Sequence, residues 1–301
     1  MNDMRATLCA ICATNEYDTL LYEANFSREH LTSATFSARR LPDRIRYRTV
    51  RCTRCGLVRA DPILEPQELE RLYEGSTITY AADKPSLIAT YRRYLRRAMR
   101  YGNPKGSLLE IGCGDGFFLA EARRMGLNEV KGVEPGQEAI AAADPEIKPH
   151  IVQGLYRREN FRASTFDYAC LFQVIDHMDD PALCLDTLHG HLKPRGILLI
   201  ISHNWSALTN RLLGARSPII DIEHPYLFSA KTIAALASLH HFRILEVGAV
   251  WNTHTLRHWA ELAPLPLPLK HRSLKLLLSF NMSEIKLTIP AGNFYLIAQR
   301  I

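Results

Sequence analysis

Residues 107–119 read SLLEIGCGDGFFL, and no other stretch restricts the possible folds of this chain so sharply. Leu108, Leu109 and Ile111 make a short apolar run with the length of a buried parallel strand. The run breaks at Gly112, Gly114 and Gly116, after which Phe117, Phe118, Leu119 and Ala122 can open a helix. Glycines packed this closely are needed where a partner approaches the backbone or where φ must be positive, because a Cβ would obstruct either. A ligand seated at the N-terminus of the following helix meets both conditions, whereas an ordinary tight strand-to-helix turn is the plainer alternative.

The spacing narrows the ligand. A dinucleotide fingerprint, G-x-G-x-x-G, needs a glycine three residues beyond Gly114, where this chain has Phe117; its third glycine, Gly116, comes one residue early. Glu110 and Asp115 would repel a pyrophosphate but suit a ligand bearing an ammonium group or hydroxyls. The series Glu110, Gly112, Gly114, Gly116 resembles motif I of the class I S-adenosylmethionine-dependent methyltransferases. That resemblance implies an α/β fold, a doubly wound Rossmann-like seven-stranded sheet whose last strand is antiparallel. It also implies that residues 110–116, Cys113 and Asp115 included, hold the methyl donor.

Downstream, strands and helices alternate as in a parallel sheet covered on both faces. Strand two is expected at 129–133 and ends at Glu134-Pro135, 18 residues beyond Gly116, where an acid can take both ribose hydroxyls. Strand three is expected at 150–153. Relatives of the family place an acid shortly after it to meet the adenine amino group; here Leu155 stands instead, so contact around Leu155 and Tyr156 must serve. Strand four, expected at 166–174, runs into IDHMDDP, and the resemblance places Phe172 and Gln173 beside the donor and an acid-histidine pair, Asp176-His177, ahead of the next helix. His177 is a candidate base, with helix capping or a structural role beside the substrate as the alternative. No N/D-P-P-Y/F follows, which argues against methylation of DNA amino groups. The turn LKPRG, with Arg195 in place of a glycine, leads into strand five; strand six is expected at 242–250 and the final strand at 293–300. Residues 203–228 read as a long loop on the substrate side, and its Glu223-His224 pair resembles that of sugar C-methyltransferases that carry a four-cysteine module, which implies His224 as base with Glu223 orienting it or raising its basicity; the alternative is that the pair only organises the loop. The chain is too short for the additional large domain of those enzymes, which leaves their deoxysugar C-methylation without support.

Four of the seven cysteines form two C-x-x-C knuckles, Cys9 with Cys12 and Cys52 with Cys55. Two such knuckles complete a closed site of four thiolates, the pattern of structural zinc with no position left for water. A redox dithiol is the rival, but neither pair follows a strand in the thioredoxin manner. The intervening residues are polar and rich in arginine, too poor in apolar side chains to pack unaided. The expected organisation is a zinc ribbon at 1–62, a helical linker or lid at 63–104 and a methyltransferase domain at 105–301. In the linker, Glu65-Pro66 and Ser86 are expected to open helices, the arginines of the second helix to face solvent, and Tyr80 to sit in a lid loop. The net charge of +6 is dispersed and does not choose among anionic substrates. The four-cysteine module resembles that of bacterial methyltransferases acting on sugars and polysaccharides, and the expected reaction is methyl transfer to a small-molecule or glycan-linked acceptor, a sugar hydroxyl first among them and phosphate-bearing or lipid-linked acceptors included, with an RNA methyltransferase whose arginine-rich module holds RNA as an alternative. A third alternative keeps the fold and the cofactor without catalysis. The first residues lack the apolar core of a signal peptide and no run approaches membrane-span length, so a cytoplasmic location is expected. The basic, leucine-rich segment at 251–280 is expected to be a lid or core element, with a membrane-surface contact as its alternative.

Overall fold

A computed structural model describes residues 4–37, 43–77, 84–262, 267–280 and 282–301. In chain order its elements are β1 (Met4–Arg5), β2 (Asp18–Tyr22), β3 (Thr49–Cys52), β4 (Val58–Ala60), β5 (Ile63–Leu64), α1 (Pro66–Glu74) and α2 (Lys84–Ala98). There follow β6 (Ser107–Ile111), α3 (Phe117–Arg124), β7 (Glu129–Glu134), α4 (Gln137–Ala141), β8 (Ile151–Gln153) and β9 (Phe166–Phe172). The last part holds α5 (Pro181–His191), β10 (Leu192–His203), α6 (Leu208–Leu213), β11 (Tyr226–Leu227), α7 (Ala230–Leu239), β12 (Phe242–Thr255), α8 (Leu256–Leu262), α9 (Leu267–Ser279) and β13 (Lys286–Arg300). Tyr80 lies outside the described residues.

The main sheet has seven strands in the order β12-β13-β10-β9-β6-β7-β8. Strands β6 to β10 pair in parallel, and β13 runs antiparallel to both β10 and β12. Successive side chains of each central strand enter opposite cores. Leu109, Ile111, Leu171 and Ile200 join one cluster, and Leu108, Cys170, Phe172 and Leu199 join the other. Because both faces are covered, these strands read as continuous apolar runs rather than as alternation.

The N-terminal segment is tied into this body. A four-stranded sheet runs β11-β4-β3-β2, so Tyr226–Leu227, from the far end of the chain, forms its edge beside β4. The amide of Ala60 also donates to the Pro225 carbonyl at 2.7 Å. Cys9, Cys52 and Leu57 pack in the same core as Leu185, Tyr226 and Phe228. Arg59 is wholly buried, its guanidinium held by Asp18 at 2.5 and 2.8 Å and by the Thr7 carbonyl at 3.1 Å.

Several element boundaries differ from the sequence reading, each for a local reason. The second helix begins at Lys84, two residues before Ser86, with Pro85 accommodated in its first turn, where a missing N–H costs nothing. Its arginines do not simply face water: Arg92 pairs with Glu121 at 2.9 Å, Arg93 donates to the Trp251 carbonyl at 2.8 Å, and Arg97 pairs with Glu246. Asp180, not His177, caps α5, accepting from the Leu183 amide at 2.9 Å. Strand β9 stops at Phe172 because Gln173 has φ of 58°, which no strand residue adopts. The segment between β12 and β13 is shorter than expected because the two strands pair as far as Thr255 and Lys286, leaving α8 and α9 to bridge them. The 203–228 region contains α6 and β11 rather than loop alone.

Candidate active site

The glycine turn after β6 is built as the spacing requires. Gly112, Gly114 and Gly116 have φ of 65°, 57° and 71°. A Cβ on Gly112 would stand 2.6 Å from Val174, and one on Gly116 would stand 2.5 Å from Ile147, so both conformation and space exclude a side chain. From the end of the adjacent strand, Glu134 reaches across to this turn, accepting the amides of Gly114 and Gly136 at 2.8 Å each. Burial raises the Glu134 carboxyl above its ordinary range, although those two amides oppose the shift. Glu110 is raised well above the usual carboxylate range by burial, with Glu134 and Asp115 adding to the effect, and its Oε2 is buried without a partner.

These groups open onto a cavity of about 770 Å³. Glu110, Gly112, Cys113, Gly114, Glu134, Pro135, Leu155, Phe172 and Gln173 line it, so most of the residues expected to meet the donor share one wall. Asp115 and Gly116 do not line it. Asp115 is turned into an ion pair with Lys84 at the head of α2 and faces the Phe117 amide at 3.4 Å, and Gly116 is covered by Ile147. Tyr91 of α2 closes the wall by stacking on Phe172, ring centroids 4.1 Å apart and nearly parallel.

The same cavity is also lined by His177, His203, Glu223 and His224. His177 and His203 have ring centroids 4.6 and 4.9 Å from that of His224. Asp176, 1% exposed, lies behind them and accepts from His203 Nδ1 at 2.6 Å. Burial alone would raise the Asp176 carboxyl, but His203, His177 and His224 together hold it well below the usual range. His224 is shifted the other way from expectation. Rather than gaining basicity from Glu223, it is held well below the imidazole range by burial and by His177 and His203, and the carboxylate opposing this is Asp176. His177 is likewise lowered, chiefly by burial. Its ring meets the Glu223 backbone, and its Nδ1 lies 3.5 Å from the Tyr73 hydroxyl of α1. Phe36, Leu69, Tyr73, Met178, Leu183 and Ile219 make this half of the wall apolar.

Two members of this cluster escaped the sequence reading in different ways. Asp176 was visible beside His177 but its partner was not. His203 closes β10, and a polar residue at a strand end carries no signal of what it meets; only the parallel order β9-β10 brings it beside Asp176.

At the N-terminus, Cys9, Cys12, Cys52 and Cys55 have their sulfurs within 4.8 Å of one another, with Cys9 to Cys55 at 3.4 Å and Cys12 to Cys52 at 3.8 Å. A tetrahedron of ~2.3 Å metal–sulfur bonds has edges of about 3.8 Å, so the four thiols fit such a site. The residue after each second cysteine is left-handed, Ala13 at 54° and Gly56 at 83°, and only the glycine announced the turn.

A doubly wound sheet with a glycine turn after its first strand and an acid at the end of its second defines a class I S-adenosylmethionine-dependent methyltransferase. The family model described as a methyltransferase domain matches residues 83–247, and the chain belongs to this family. It is similar to the ubiquinone biosynthesis O-methyltransferase of Bradyrhizobium diazoefficiens, 31% identical over 136 residues that cover 41% of this chain and 51% of that protein. It is also similar to the mitochondrial ubiquinone biosynthesis O-methyltransferase of Dictyostelium discoideum, 27% identical over 128 residues, 36% of this chain and 39% of that protein. The chain thus spans about half or less of the length of these curated relatives. A solved S-adenosylmethionine-dependent methyltransferase from Archaeoglobus fulgidus shares the fold, with a TM-score of 0.50 and 17% identity over 73% of this chain and 99% of that one. No described helix is long and apolar enough to cross a membrane.

Proposed function

We propose that the chain transfers a methyl group from S-adenosylmethionine to a hydroxyl of a small molecule held at the histidine end of the cavity. One observation carries this reading: the glycine turn with Glu134 and the histidines His177, His203 and His224 line one continuous cavity, with Asp176 behind His203, so a donor and a hydroxyl acceptor can meet without crossing solvent. When bound, S-adenosylmethionine supplies an activated methyl group. The chain's residues then bind it, shape its surroundings and exclude water. Glu134 holds the ribose hydroxyls, the backbone at Gly112 and Gly114 receives the amino-acid end, and the donor's positive charge opposes the burial that raises Glu110, whose Oε2 is unpartnered, and so favours its ionised form. Leu155 with Tyr156 contacts the adenine, and Phe172, Gln173 and Pro135 shape the remaining wall. Tyr91, stacked on Phe172, excludes water.

An acceptor hydroxyl must lose its proton during transfer, and the Asp176-His203 pair with His224 is where that proton leaves. The first-expected pair, Glu223-His224, lines the same cavity, and Asp176 accepts a hydrogen bond from the His203 imidazole beside it. The similarity to O-methyltransferases supports oxygen as the atom methylated. A sugar hydroxyl would satisfy the chemistry; the apolar wall of Phe36, Leu69, Met178 and Ile219 favours a hydroxyl on an apolar ring. The four cysteines are read as a structural zinc site, and the cytoplasm as the place of action. Incubation with methyl-labelled S-adenosylmethionine and, separately, hydroxylated aromatics, sugars and RNA tests the reading. Label in an O-methyl group of a small acceptor is expected; label in RNA alone would refute it.

A further inference from the structure

We propose that Asp176, His203 and His224 form a binding site for a divalent first-row transition-metal ion at the acceptor end of the cavity. The inference rests on the reading that this is where an acceptor hydroxyl is deprotonated, and it names the means. The three residues come from three separate segments, the loop after β9, the last position of β10 and the loop before β11. They nevertheless present one ligand atom each within 4.8 Å of one another.

The unsatisfied atoms in the cluster point to a missing ligand. Asp176 is 1% exposed, yet only its Oδ2 has a partner; Oδ1 is buried and bonded to nothing. His224 Nδ1 is buried and unpartnered as well, and so is Oε1 of Gln173, at the left-handed residue that ends β9. An Asp-His pair acting as a bare base would leave these atoms unsatisfied, against the rule that buried polar atoms find partners. A cation bound by the Asp176 carboxylate and by His224 Nδ1 satisfies both. The His224 ring contacts the Ile219 backbone carbonyl, and with Nδ1 unpartnered this assigns the proton to Nε2 and leaves the Nδ1 lone pair for a metal, the arrangement typical of ligating imidazoles. Ligation through His203 Nδ1 requires loss of the proton it donates to Asp176 Oδ2 at 2.6 Å, so uptake of the ion releases that proton.

Two imidazoles and one carboxylate suit Mn, Fe, Co or Zn better than Mg, and three protein ligands leave positions open toward the cavity. An acceptor hydroxyl taking one of them would become more acidic and be fixed in orientation, which is the Lewis-acid role such a site supplies. The proton passes to solvent or to a neighbouring histidine, and the metal's oxidation state does not change.

Mn²⁺ is the probe, because thiolates bind it poorly and the four cysteines will not compete. The full chain, with zinc retained at the cysteines, is titrated with Mn²⁺ while free ion is followed by electron paramagnetic resonance. One site per chain is expected, weakened at least about tenfold in D176N and again in H203Q. Each variant is accepted only if its affinity for S-adenosylhomocysteine matches the parent's, and H203Q, less buried, covers the case in which D176N fails to fold. No Mn²⁺ or Co²⁺ bound at millimolar concentration by a protein that binds S-adenosylhomocysteine would overturn the metal site, as would methyl transfer unaffected by a chelator that leaves the cysteine zinc in place. Mn²⁺ bound as expected, with no transfer to any hydroxyl acceptor, would uphold the site and refute the proposed function instead.

Discussion

Glu134 performs two tasks that a substitution can separate. In the protein without donor it ties the Gly114 and Gly136 amides, and in the proposed complex it faces the ribose. E134Q keeps most of the size but loses a charge-assisted acceptor, so its affinity for S-adenosylhomocysteine should fall roughly 10- to 100-fold, one to two charged hydrogen bonds' worth, as isothermal calorimetry would show. An unchanged affinity would remove Glu134 from the donor site. Asp167 is a purely structural counterpart. Burial acts to raise its carboxyl, but Lys193 at 2.7 Å and the Ser107 amide and hydroxyl at 2.9 and 3.0 Å outweigh burial and lower it. A depressed pKa stabilises the fold above the unfolded-state value near 3.9 and the contribution is lost as pH falls through the folded value. D167N should therefore cost about 1–2 kcal/mol at pH 7, measured by denaturant unfolding, and progressively less below pH ~4. A gap that widens in acid would contradict this.

At the level of elements, legibility followed the distance in sequence between interacting parts. The β6 turn and Glu134 could be read because glycine spacing and an acid at a strand end are local signals. The C-x-x-C knuckles were equally plain. The pairing of β11 with β4 was not, since Tyr226–Leu227 is too short to carry an alternating pattern and its partner lies far upstream. The same limit hid the Asp176-His203 contact and the full length of the β12-β13 hairpin. That hidden pairing bears on the four-cysteine module. Its sheet holds the Pro225 carbonyl and Tyr226–Leu227, immediately after Glu223 and His224. If the four cysteines hold the proposed structural zinc, C52S should lower the melting temperature by several degrees, as losing a few kcal/mol requires, and should reduce turnover more than it reduces S-adenosylhomocysteine affinity. Equal losses in both would mean that the module supports the whole fold rather than the acceptor end.

Across the whole molecule, one cavity is walled by segments spread over much of the chain: Phe36 and α1 from the N-terminal part, α2 above Phe172, the turns after β6, β7 and β9, and residues 218–224. The residues proposed to hold the donor cluster at the carboxyl ends of the central parallel strands, where an open α/β sheet leaves its crevice. The residues proposed to meet the acceptor come from the loops and the N-terminal segment, which is why a donor could be inferred from a short motif and an acceptor could not. The two ends make separable demands, and a variant at the histidine end tests whether they belong to one reaction. The decisive measurement is methyl transfer by H203Q, with S-adenosylhomocysteine affinity determined on the same preparation. Turnover reduced about 100-fold or more, the usual scale for losing acid-base assistance, with donor affinity unchanged within about twofold, is the predicted result. Turnover at the parent's level would contradict the assignment of this cavity end to the acceptor's chemistry.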